Sequence, residues 1–121
     1  MKYALLIYGD ETGWDTISEA EKQALYEKYD AFGNEVAKRG MMRGGEELHA
    51  TPSATTVRVR NDETLVTDGP FAETKEQLGG FFLIECKDMD EAIEVAAKIP
   101  GARRGSVEVR PCVEHPEPHD Q

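Results

Sequence analysis

The sequence predicts an α+β fold, and three observations carry that expectation. Tyr3-Ala4-Leu5-Leu6-Ile7-Tyr8 and Phe81-Phe82-Leu83-Ile84-Glu85-Cys86 are apolar on both alternating faces, as strands buried from both sides are. Each of these segments is followed by a stretch with helical apolar spacing. Leaving aside one added hairpin, the order of elements is strand, helix, strand, strand, helix, strand. That order matches a ferredoxin-like split βαβ arrangement, in which the first and third strands are central.

The elements follow in turn. Gly9-Asp10 ends the first strand, and a loop containing Trp14 leads to Ser18 and Glu21, which have capping-box spacing. Leu25, Tyr29, Phe32 and Val36 then recur at intervals of four, three and four, predicting a long amphipathic helix that stops near Lys38-Arg39-Gly40. Residues 41–48 predict a shorter strand weakened by Gly44-Gly45, and Thr51-Pro52-Ser53 a loop. The β-branched runs 55–60 and 64–67 flank Asn61-Asp62-Glu63, predicting a hairpin at the sheet edge. After the second central strand, Asp88 and Glu91 repeat the capping spacing, and Met89, Ala92, Ile93, Ala96 and Ala97 share one helical stripe that ends near Pro100-Gly101. Val107 and Val109 alternate with Glu108 and Arg110 in a half-exposed last strand before Pro111.

The chain of 121 residues fits one domain, expected over residues 1–111, with a disordered tail over 112–121 that holds two prolines and no apolar face. His115 and His119 in that tail do not make the closed ligand set of a structural metal site. Two helices cover only one face of the expected sheet, yet the central strands are apolar on both. A homodimer with the sheets packed together is the simplest cover, twofold association being the commonest kind.

Composition narrows the functional classes. A formal net charge of -10 argues against direct binding to nucleic acid, which depends on cations displacing condensed counterions. No apolar run approaches the ~20 residues of a membrane-spanning helix. The start, Met1-Lys2-Tyr3, runs directly into a strand pattern without the features of a signal peptide, so the expected location is cytoplasmic. Cys86 and Cys112 have no CxxC context and read as two reduced thiols, and no motif implies a metal or organic cofactor.

The segment from Thr67 to Phe82 concentrates turn formers, carboxylates and Lys75 directly before an apolar strand. Asp68-Gly69-Pro70 reads as a structural turn, since Asp bonds nearby amides, Gly admits positive φ and Pro fixes φ. It also reads as a catalytic site, because a carboxylate desolvated beside Pro70 and Phe71 gains the raised pKa of a general base. Glu73, Lys75 and Glu76 start a short helical turn or form a solvated charge cluster, with Lys75 a candidate anion ligand. Gly79-Gly80 lacks the helix-opening context of a phosphate loop and instead permits close backbone approach. Glu46, Glu47 and His49 form a second polar cluster, where alternation sends Glu47 and His49 to one face as a candidate base and orienter. Arg110 is a candidate carboxylate ligand or an ordinary ion-pair member. Tyr8, Trp14 and Tyr29 line an apolar pocket or fill the core.

The opening residues 3–9, Gly44-Gly45-Glu46-Glu47-Leu48, the stretch 67–82 and Gly105-Ser106-Val107-Glu108-Val109-Arg110-Pro111 together resemble the DGPF subgroup of the YCII-related family. The resemblance implies a dimeric α+β barrel, and members are often encoded near extracytoplasmic-function sigma factors. Some YCII-related proteins are described around a His-Asp pair with the His on the first helix, and one branch acts on chlorinated ring-cleavage products. Here the first helix contains no histidine, and the second ends Lys98-Ile99-Pro100 without an aspartate, so the pair does not carry over. By motif position Asp68 is its replacement. The resulting expectation is a homodimer binding a small polar or anionic metabolite near the DGPF loop, with proton-transfer or lyase chemistry. Asp68 is the base in that reading and Lys75 or Arg110 the anion partner. The rival is a non-catalytic module acting with a sigma factor.

Overall fold

A computed structural model describes residues 1–116. Six strands and two α-helices appear in the order β1 (Lys2–Gly9), α1 (Glu19–Lys38), β2 (Met42–Glu47), β3 (Thr55–Arg60), β4 (Glu63–Asp68), β5 (Gln77–Glu85), α2 (Met89–Ala96) and β6 (Ser106–Pro111). The main sheet has the order β2-β5-β1-β6, with β3 and β4 forming a separate two-stranded ribbon. All its pairings are antiparallel, and the two segments that are apolar on both faces occupy its centre. This is the ferredoxin-like α+β topology expected from the order of elements.

Register separates the two faces. Leu5 lies opposite Phe82 and Val109, and Tyr3 opposite Ile84, so these side chains share one face. Tyr3, Leu5 and Ile84 are buried there with Phe32 and Val36 of α1, Ala92, Val95 and Ala96 of α2, and Ile99. Both helices therefore pack on that face. Ala4, Leu6, Tyr8, Phe81 and Leu83 point to the opposite face and stay only half-buried.

The helix ends are built as their sequences dictate. Ser18 accepts from the Glu21 amide at 3.1 Å while the Ser18 amide donates to Glu21 Oε1 at 3.0 Å, closing a capping box. At the other end Gly40 takes φ +74°, its N–H donates to Ala37 O, and Met41 N–H donates to Val36 O. That is a Schellman closure, and the accompanying apolar contact falls between two buried residues, Met41 and Val36. In α2 the Asp88 carboxylate accepts from Glu91 N–H, but the Glu91 side chain reaches Lys87 N–H rather than the cap residue.

Several boundaries differ from the sequence reading. The buried stripe of α2 is Ala92, Val95 and Ala96, continued by Ile99, and Ile93 is exposed. The α-helix stops at Ala96, where the N–H groups of Lys98 and Ile99 donate to Val95 O and Ala96 O in i→i+3 closures, and Pro100–Arg103 forms a separate 3-10 turn. β5 begins at Gln77, so Gly79 and Gly80 lie inside the strand, with the register against β1 shifting between Ile7 and Tyr8. The hairpin turn is the two residues Asn61 and Asp62, both at positive φ as a type I′ turn requires. Residues 71–76 form bends rather than a helical turn, because Thr74 Oγ1 donates to Glu76 O at 2.5 Å and Gln77 Nε2 to Thr74 O at 2.6 Å. Of the tail, the Cys112 backbone N–H still donates to Lys2 O at 2.8 Å, while residues 117–121, His119 among them, lie outside the described residues.

Candidate functional site

Helical spacing places Lys22, Tyr26 and Tyr29 along one side of α1, at the border of the core stripe. The 3-10 turn Glu11–Thr16 brings Trp14 against them: its ring meets Tyr26 edge-on, with centroids 5.7 Å apart. The Lys22 ammonium lies 5.3 Å from the Trp14 ring centre, a cation–π contact. From the sheet, β2 ends at Glu47, whose register partner is Gly80 and whose side chain therefore points to the helix side. The Tyr26 hydroxyl donates to Glu47 Oε2 at 3.1 Å. Behind this pair the half-buried Tyr29 hydroxyl accepts the Gly101 N–H at 3.0 Å.

The electrostatics keep both tyrosines protonated. Desolvation raises the Tyr26 pKa first, and the bond to Glu47 and the Glu47 charge raise it further. Burial likewise raises Tyr29, outweighing the Gly101 N–H bond that lowers it, and the Glu47 charge adds to the rise. Near neutral pH Tyr26 is accordingly a donor and Glu47 its acceptor, an arrangement able to deliver and accept a proton at one spot.

The loops around the pair are clipped together by Glu11. Its N–H donates to Gln77 Oε1 at 3.0 Å, and its carboxylate accepts both the Thr51 N–H, at 3.0 Å, and the Thr51 hydroxyl. Gln77 belongs to the stretch 67–82 singled out in the sequence, so that stretch reaches the cluster through a support contact. Asp10 caps the same turn by accepting from Thr12 N–H and Oγ1, and these bonds hold its carboxyl below the usual range.

The other sequence candidates lie apart from this cluster. Asp68 ends β4 and is exposed, and among the described residues its carboxylate accepts no hydrogen bond. The turn is held instead by Gly69 N–H to Ala54 O at 2.7 Å and Thr56 Oγ1 to Gly69 O at 2.8 Å, with Gly69 at φ +95°. Phe71 is 77% exposed and Pro70 is exposed, so neither shields Asp68 from water within one chain. Lys75 is exposed in the following loop. Arg110 donates to Glu108 at 2.6 Å on the same strand, and Tyr8 reaches that carboxylate at 3.5 Å. His49 is exposed beyond the end of β2, where Leu48 N–H bonds Gly79 O, so strand alternation no longer relates it to Glu47. Among the described residues no hydrogen bond or ion pair joins Asp68, Lys75, Arg110 and His49 to one another or to Glu47.

Glu47 is thus the sequence candidate that the fold places among other reactive groups. Tyr26 carries no periodicity signal of its own in the sequence, because it sits one position beyond the core stripe marked by Leu25 and Tyr29. An aromatic hydroxyl at the rim of an amphipathic stripe, one turn after a lysine, was the available signal. Among the described residues no group of three or more His, Cys, Asp or Glu is placed to hold a metal ion, and no helix is long and apolar enough to cross a membrane.

Residues 1–115 match the model of the YCII-related domain. The chain belongs to the YCII-related family. An uncharacterised protein of Rhizobium meliloti (strain 1021) is 41% identical over 113 residues, which span 92% of this chain and 91% of that one. The shared region takes in β1 through β6, so the YCII-related domain here includes the cluster around Tyr26 and Glu47 as well as the ribbon.

Proposed function

We propose that this YCII-related protein is a homodimer of the DGPF subgroup that binds a small polar metabolite at the Tyr26–Glu47 pair and moves a proton there. The observation that carries this reading is the 3.1 Å bond from a tyrosine held protonated to a carboxylate, set beside the Trp14 ring. Glu47 acts as base and Tyr26 as donor to the atom that gains negative charge, while Trp14 packs against a flat or apolar part of the ligand. The anion-binding role foreseen for Lys75 and Arg110 has less support, since Arg110 is already engaged by Glu108. Asp68 as base depends on a second chain to exclude water from its loop. Dimerisation is supported by the half-buried apolar face of Ala4, Leu6, Tyr8, Phe81 and Leu83, which neither helix covers.

The test is thermal stability of wild type, Glu47→Gln and Asp68→Asn against a panel of organic acids, lactones and sugars. Selective binding to the native state raises stability by RT ln(1+[L]/Kd), about 2.7 kcal/mol at a hundredfold excess over Kd. Glu47→Gln should melt like wild type but lose the ligand shift, with Asp68→Asn retaining it. A shift lost only in Asp68→Asn would move the base to the DGPF loop. Copurification of a sigma factor with no ligand shift in any variant would favour the non-catalytic role.

A further inference from the structure

The ribbon of β3 and β4 is poorly supported by its own chain. Every residue of both strands is exposed except Thr56, and the ribbon forms no ladder with the main sheet. A two-stranded hairpin with nothing over it is marginally stable in water. Its register nevertheless builds an apolar face: Val57 lies opposite Val66, and Val59 opposite Thr64. Val57, Val59 and Val66 are 59%, 58% and 63% exposed, and Phe71 just beyond β4 is 77% exposed. Large exposed apolar residues are thereby concentrated in one projecting segment rather than scattered singly.

The other face of the ribbon carries Arg58 opposite Leu65 and Arg60 opposite Glu63. Among the described residues neither forms an ion pair, and Arg60 bonds only the carbonyl of Val59. The two cations lie on one face of the ribbon in a chain with 24 acidic and 14 basic residues, where acidic surface is abundant. The route out of the ribbon also leads to the uncovered sheet face. The loop after β4 runs to Glu76, whose carboxylate accepts from Ser106 Oγ at 3.0 Å, and Ser106 lies opposite Tyr8 on that face.

We infer that the β3–β4 ribbon is an arm that packs on a second copy of this chain. Its Val57, Val59 and Val66 face extends the apolar contact begun by the uncovered sheet face, and Arg58 and Arg60 meet the acidic surface of that copy. The inference rests on the homodimer reading above and adds the element that locks it. A twofold pair exchanges two such arms, so each ribbon is stabilised by association rather than by its own chain.

The test combines sedimentation with hydrogen exchange of the wild-type protein over a dilution series. If the arm is exchanged, amides of residues 55–68 become at least tenfold better protected as the dimer forms. Val57→Thr/Val66→Thr, which keeps β-branching, should then weaken dimerisation at least tenfold while circular dichroism shows the fold intact. A dimer whose ribbon amides exchange at the same rate at every concentration, or whose dissociation constant is unmoved by the double variant, overturns the arm but leaves the homodimer standing. A chain that sediments as a monomer throughout overturns both.

Discussion

Gly79 and Gly80 are adjacent in one strand, yet a methyl group should have opposite effects at the two positions. A Cβ at Gly80 would sit 2.8 Å from Glu46 O and 3.5 Å from Glu47 Cα, so the β2 backbone would have to move. At Gly79 the nearest atom, Ile7 O, is 4.0 Å away, and neither glycine has positive φ. Overpacking of this kind costs about 1–3 kcal/mol, whereas replacing Gly by Ala at a compatible position gains about 0.4–1 kcal/mol by restricting the unfolded chain. Gly80→Ala should therefore lose about 0.5–2 kcal/mol and Gly79→Ala should gain a few tenths. With an unfolding entropy of about 2.1 cal/mol/K per residue, 121 residues convert 1 kcal/mol into roughly 4 °C of Tm. Calorimetry should thus show Gly80→Ala melting roughly 2–8 °C low and Gly79→Ala at or slightly above wild type. Because Glu47 is the register partner of Gly80, Gly80→Ala should also blunt the ligand shift. Equal melting temperatures for the two variants would refute the close-approach argument.

Two further predictions concern pH. The Glu21 carboxyl is held below its ordinary 4.5 mainly by the Ser18 backbone bond, so its contribution is complete above that value and is lost as pH falls through the lower folded pKa. Glu21→Gln should melt below wild type at neutral pH, with the gap closing on acidification, as followed by Tm against pH. Tyr29 titrates in the opposite sense: burial raises it above 10.0, so its contribution is complete below that pH and is lost as pH rises through the folded value. Tyr29→Phe leaves the Gly101 N–H without its acceptor, which should cost about 1–2 kcal/mol near neutrality and remove this alkaline loss, checked by urea melts at pH 7 and above pH 10.

The parts of the fold visible in the sequence are those fixed by local chemistry or by simple periodicity. The capping box at Ser18 and Glu21, the stripe of Phe32 and Val36, and the two-faced strands β1 and β5 each carry their own signal within a few residues. What stayed hidden depends on distant neighbours. Gly79 and Gly80 have poor strand propensity, and only the pairing of Gly80 to Ile7 and Glu47 and the bond from Leu48 N–H to Gly79 O make them part of β5. Residues 73–76 look helical by composition, yet the side chains of Thr74 and Gln77 bond the loop backbone and draw it into bends. Ile93 is apolar at helical spacing and still faces water, because the core approaches α2 from the side of Val95 and Ile99.

The same distinction explains why the DGPF-like stretch is conspicuous in the sequence while the bond between Tyr26 and Glu47 is not. A turn-rich segment of unusual residues is conspicuous in one dimension, whereas Tyr26 and Glu47 are ordinary residues 21 positions apart that meet only after β2 docks beside β5. The two regions are nonetheless coupled. Gln77 at the end of the stretch holds the Glu11 backbone, the Glu11 carboxylate holds Thr51, and Thr51 precedes the ribbon. The turn carrying Trp14 is thus fixed between the stretch and the base of the ribbon. A second copy gripping the ribbon would stabilise that chain of contacts, so binding at Tyr26 and Glu47 should strengthen dimerisation by the factor by which dimerisation strengthens binding.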